Sequence, residues 1–104
     1  MFGLVVRFEL RDEDSARMFD ELVSEIAPKI REQEPGTLLY VVHTVADSPL
    51  SRVFYELYAD QSAFEDHESQ LHVKRFLRER EQCLSDVRVE FVTPTGGKGL
   101  NTSA

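Results

Sequence analysis

Phe2, Leu4, Val6, Phe8 and Leu10 alternate with Gly3, Val5, Arg7 and Glu9, a period of two that predicts a strand with one buried face. The pattern then changes. The acidic run Asp12-Glu13-Asp14 offers an N-cap and favourable charge at a helix start. Phe19, Leu22, Val23, Ile26 and Ile30 follow at i, i+3, i+4, i+7 and i+11, a narrow apolar stripe on an otherwise charged helix. Pro28 lies inside that helix and removes one backbone donor, so it is expected to kink the helix or end its regular part. Glu34-Pro35-Gly36-Thr37 has proline and glycine at the two central positions of a type II turn. Thr37 to Val45 and Val53 to Ala59 read as the second and third strands, joined by a loop from Ala46 to Arg52. Ser62 and Glu65 form a capping box that starts a short helix. Leu71 to Leu84 continues as helix, with Val73, Phe76, Leu77 and Leu84 on one side. Val87, Val89 and Phe91 alternate with Arg88 and Glu90 in a fourth strand that stops at Pro94.

The order β-α-β-β-α-β is that of an α+β, ferredoxin-like split βαβ fold, an antiparallel sheet with both helices on one face. The domain spans residues 1–94. Residues 95–104, TGGKGLNTSA, hold three of the five glycines and almost nothing apolar, and are expected to form a mobile tail. The middle strands are apolar on both faces: Leu38, Tyr40 and Val42 oppose Leu39, Val41 and Val45, while Val53, Tyr55 and Leu57 oppose Phe54 and Tyr58. Helices can cover only one face. The other predicts a homodimer built by sheet faces packing against each other.

Composition narrows the function classes. A chain of 104 residues with 41% hydrophobic and 30% charged residues fits one globular domain. Its net charge of −7 argues against nucleic acid and against anionic membrane surfaces, which need clustered Lys or Arg. No apolar run approaches the ~20 residues of a membrane span, and Arg7 and Glu9 interrupt the first strand as a signal segment. The single Cys83 excludes an intramolecular disulfide and fits a reducing cytoplasm. Its default role is a buried structural thiol.

Glu34-Pro35-Gly36 stands before the second strand, Tyr40 and His43 within it, Tyr55-Glu56-Leu57-Tyr58 in the third, and Ala63-Phe64, His67 and His72 follow. In this layout these residues resemble the antibiotic biosynthesis monooxygenase (ABM) superfamily of small dimeric α+β-barrel proteins. The resemblance covers the chain up to Pro94. It implies a dimeric barrel and a pocket for a small aromatic molecule, and it admits several chemistries. Among them are cofactor-independent oxygenation of polycyclic phenols, quinol oxidation, haem degradation and isomerisation. Three positions depart from the family pattern. Tyr58 stands where a Trp is frequent, and Val6 falls where the oxygenase and haem-degrading branches carry an asparagine. Leu77 replaces the axial histidine that haem degradation needs, which argues against that branch.

His67 lies three residues after Phe64 and four before Leu71, so the three are expected to share a helix face turned toward the sheet. An imidazole there can take a phenolic or enolic proton, and the resulting carbanion is electron-rich enough to reduce dioxygen without metal or flavin. The alternative is a structural histidine satisfied by Glu56 or Tyr58. Glu56 and Tyr58 point the same way from their strand, and a Glu–His pair would fix the imidazole tautomer. A water-exposed edge carboxylate is the other reading of Glu56. His72 joins the pocket only if the helix breaks near Ser69-Gln70; otherwise it lies in solvent. His43 is a candidate for the dimer interface. The three histidines lack a recognised metal-ligand spacing, and Gly96-Gly97-Lys98-Gly99 lacks the residues of a phosphate loop.

The leading expectation is a cofactor-independent monooxygenase acting on a phenolic, quinol or polycyclic aromatic substrate. His67 is its base, Glu56 and Tyr58 orient that base, and Val6, Phe8, Phe54, Phe64 and Phe76 wall the pocket, with His72 at its margin. The alternatives are a non-catalytic dimeric module binding a small aromatic ligand or a partner protein, and an isomerase or lyase using His67 without oxygen.

Overall fold

The first strand, β1 (Phe2–Leu10), buries Leu4, Val6, Phe8 and Leu10, the even-numbered half of its alternation. The structure, a computed structural model, describes residues 1–99 of the chain. After β1 come α1 (Glu13–Gln33), β2 (Thr37–Val45), β3 (Ser48–Tyr58), α2 (Gln61–Ser69) and α3 (Leu71–Glu79). A 3₁₀ turn at Arg80–Cys83 leads into β4 (Leu84–Val92). The sheet is antiparallel in the order β2-β3-β1-β4, which is the expected split βαβ arrangement. Val6 pairs with Phe54 on one side and Val89 on the other, and Leu4 with Glu56 and Phe91. All of these side chains therefore face the helix layer.

The α1 stripe of Phe19, Leu22, Val23, Ile26 and Ile30 is buried against that face. Phe8 meets Phe19 and Phe54 with ring centroids 5.0 and 4.7 Å apart, in the tilted and edge-to-face geometries that favour aromatic pairs. Asp12 caps α1, accepting a hydrogen bond from the Ser15 amide at 2.7 Å. Pro28 does not end the helix, which runs on to Gln33. Both Pro28 and Ser24, whose carbonyl loses its helical donor, are exposed, so water can satisfy that carbonyl.

Four further expectations are corrected. The Glu34–Thr37 turn closes with Thr37 N–H donating to the Glu34 carbonyl at 3.0 Å, yet Gly36 is not among the residues with positive φ that a type II turn requires. Its glycine serves close packing instead: a Cβ there would stand 2.6 Å from the Cβ of Ala63. The seven-residue loop is really a tight turn at Ala46-Asp47, with Asp47 at φ 59°, and β3 starts at Ser48. The sequence concealed this because the register shifts across Pro49, a residue sheets tolerate at irregularities. The cap of α2 is Asp60, not Ser62; the Asp60 carboxylate accepts from the Ala63 amide at 2.8 Å. The last helix stops at Glu79, and Leu84 belongs to β4.

The helix layer stops short of β4. Val89 and Phe91 face the helix side yet are 46% and 63% exposed. No helix among the described residues is long and apolar enough to cross a membrane. Beyond Val92 the described residues carry no helix or strand, and residues 100–104 of the expected tail lie outside the described residues.

Candidate active site

Two breaks in the helices bring the polar groups together. At the end of α1 the chain turns at Glu34, whose side chain is buried. At Gln70 the backbone becomes extended (φ −68°, ψ 141°), separating α2 from α3 and turning His72 inward. Glu34 thereby receives both histidines. His67 Nδ1 lies 2.5 Å from Glu34 Oε1, and His72 Nε2 lies 2.6 Å from Oε2. Thr37 Oγ1 also donates to Oε1 at 2.8 Å. A carboxylate accepts and does not donate, so these contacts put the His67 proton on Nδ1 and leave the lone pair on Nε2.

That Nε2 faces Glu56, whose Oε1 is 3.9 Å away, beyond hydrogen-bonding distance. Glu56 Oε1 instead accepts from the Tyr58 hydroxyl at 2.5 Å. Burial raises the Glu56 pKa above the usual carboxylate value, against the opposing effects of the Tyr58 bond and the nearby His67. The Tyr40 and Tyr58 hydroxyls are both pushed up by burial and by the Glu56 charge, so neither serves as a base.

A cavity of about 150 Å³ lies between α2–α3 and the sheet. Leu4, Val6 and Phe8 of β1 form its floor, Tyr40 and Glu56 one side, and Phe64, His67 and Phe76 the helical roof. It opens over β4 at Val89 and Phe91. A second cavity of about 140 Å³, lined by Glu34, Thr37, Asp66 and Gln70 among others, reaches His67 from the other side. His67 is thus a partition, held by Glu34 on one side and facing an aromatic-walled chamber on the other.

Residues 1–79 match the family model described as antibiotic biosynthesis monooxygenase. The chain belongs to that family. No curated protein sequence matches it. Among solved structures, one described as an antibiotic biosynthesis monooxygenase is 22% identical, with a TM-score of 0.82, over 92% of this chain and all of the other. A Mycobacterium tuberculosis protein is 21% identical, with a TM-score of 0.84, over 94% of this chain and 98% of the other. A Pseudomonas aeruginosa protein is 23% identical, with a TM-score of 0.77, over 91% and 94%. At these identities the likeness carries the fold alone.

Within this ABM fold the expected site residues divide. Val6, Phe8, Glu56, Phe64, His67 and Phe76 line the cavity. Tyr58 does not; it stands behind Glu56 as its hydrogen-bond donor. Phe54 is buried beneath the chamber in the core. His72 turns inward and meets Glu34 rather than the cavity. Leu71 shares no face with His67, because the break at Gln70 leaves it 83% exposed. The carboxylate that orients His67 is Glu34, not Glu56. Sequence reading also passed over Arg80, which lines the cavity. It sits four residues after Phe76, a spacing that places it on the inward face, but the run Arg78-Glu79-Arg80-Glu81 reads as solvated charge. Among the described residues no group of three or more His, Cys, Asp or Glu side chains is arranged to hold a metal ion.

Proposed function

We propose that this protein is an oxygenase of single-ring phenols and hydroquinones, with His67 as its general base. The observation that carries the reading is the arrangement on one imidazole: Nδ1 is bound to Glu34, while Nε2 borders the chamber with no hydrogen-bond partner among the described residues. Size supports the substrate class, since a cavity of about 150 Å³ takes one six-membered ring. Polycyclic substrates fit only by protruding over β4. The family membership supports oxygen-using chemistry.

The sequence of events starts at the ring hydroxyl. His67 Nε2 takes its proton, and the charge spreads onto the ring carbons. Glu34 stabilises the imidazolium that forms, much as a carboxylate does in other His-based sites. The electron-rich ring passes an electron to dioxygen, the two radicals join in a C–O bond, and water leaves. For a hydroquinone the balance is hydroquinone plus dioxygen giving hydroxyquinone plus water. His67→Gln should lower oxygen uptake with hydroquinones by about 10²–10⁴-fold without changing the circular-dichroism spectrum. Undiminished uptake by the variant would defeat the assignment. Substrate loss without oxygen uptake would instead identify an isomerase or lyase using the same base. A purely binding module is the reading a filled pocket would favour, and the open chamber gives it no such support.

A further inference from the structure

Arg80 is the cavity residue that proton abstraction leaves without a task. It opens the 3₁₀ turn after α3, where its guanidinium lies 5.2 Å from the ring centre of Phe8 and 5.8 Å from that of Phe76. These rings hold the cation as a shelf holds a plate. Its Nε is buried with no hydrogen-bond partner among the described residues. Among the described residues no ion pair includes Arg80, although Glu56 and Glu68 line the same cavity. The chain partners a buried arginine more completely elsewhere. Arg52 forks onto Asp20 at 2.9 and 3.0 Å and also donates to the Pro49 and Ser51 carbonyls. Burial lowers the Arg80 pKa, yet a guanidinium starts so high that it stays charged at neutral pH.

A half-buried, unpaired guanidinium lining a ring-sized chamber is stabilised by an anion that enters it. We propose that Arg80 is the oxyanion subsite of this cavity, and that the protein selects aromatic rings whose hydroxyl ionises on binding. This rests on the reading of the chamber as a phenol site, and it assigns the charge that His67 creates. The O–H bond breaks, the proton goes to His67 Nε2, and the electron pair stays on the oxygen, where the guanidinium compensates it. A guanidinium presents several donors in one plane, which suits a phenolate lying flat between aromatic walls. Val6 adds nothing polar on the β1 side, so the anion is left to Arg80.

The probe is 4-nitrophenol, whose phenolate is coloured, with nitrobenzene as the ring that lacks the hydroxyl. In the unmutated protein bound 4-nitrophenol should ionise at a lower pH than it does free in solution. Arg80→Gln should abolish that shift and weaken phenolate binding about tenfold or more, while nitrobenzene binds both proteins alike. Arg80→Lys, which keeps a cation, should retain part of the shift. The proposal falls if the unmutated protein leaves the ionisation of 4-nitrophenol unmoved or does not bind it. It also falls if Arg80→Gln loses nitrobenzene and phenolate in parallel. Arg80-dependent phenolate binding without oxygen uptake on any phenol would keep the subsite and remove the oxygenase reading. His67→Gln should still bind the preformed phenolate, which separates the two roles.

Discussion

Glu56 sits in the middle strand layer, opposite Leu4 on β1 and Tyr40 on β2, and is buried there with the Tyr58 hydroxyl as its donor. Burial penalises its charged form, so its pKa in the fold lies above the unfolded value. The sign follows from linkage. A group whose pKa rises on folding adds stability below its unfolded pKa and loses that contribution as pH climbs through the folded value. Glu56→Gln keeps a carbonyl to accept from Tyr58 and removes the charge. Its melting temperature should exceed that of the unmutated protein at neutral pH, and the gap should close as pH falls toward the ordinary carboxylate range. A variant equally destabilised at every pH would refute this. At this scale the sequence showed His67 and its aromatic neighbours, because helical spacing and strand alternation report which way a side chain points. It did not show which carboxylate meets His67. Glu34 stood in view as a turn residue, and its pairing across 33 positions depends on how α2 docks. Nothing local encodes that.

Among the elements, α2 packs Phe64 against Phe2 and Tyr58 and also makes a close contact with the start of β2. Gly36 and Ala63 make that contact, and Ala63 lies one helical turn before His67. Adding a methyl group at Gly36 forces the two apart, since the added Cβ would stand 2.6 Å from Ala63. Gly36→Ala should therefore cost about 1–3 kcal/mol and lower turnover as His67 moves, measurable by denaturant melts and oxygen uptake. Combining it with Ala63→Gly should recover stability; no recovery would place the strain elsewhere. Element type and order were legible from periodicity alone. Pro28, Pro49 and the Ser62–Glu65 box are single local signals, and each was outweighed by something beside it. Exposure let α1 run through its proline, a register shift accommodated Pro49, and Asp60 took the cap one residue before the helix.

At the scale of the whole molecule, two apolar regions of the described sheet bear on a partner. On the helix side Val87, Val89 and Phe91 stand uncovered along β4, and Val89 and Phe91 frame the chamber mouth. On the opposite sheet face Val5 pairs with Tyr55, which pairs in turn with Val41, and Val53 lies beside them. Arg7, Arg88, Glu90 and His43 share that face in the same register and surround the apolar centre. An apolar centre with a charged margin is the make-up of an association surface. We propose that two copies pack through it, leaving each chamber open over its own β4. Sedimentation at micromolar concentration should give a dimer for the unmutated protein. Tyr55→Lys should give a monomer with an unchanged circular-dichroism spectrum, because the substitution puts a charge at the patch centre. Val87→Lys, on the helix side, should remain dimeric. A monomeric unmutated protein would end the proposal, and dissociation by Val87→Lys but not Tyr55→Lys would move the interface to the β4 edge, where the partner would close the chamber rather than leave it free.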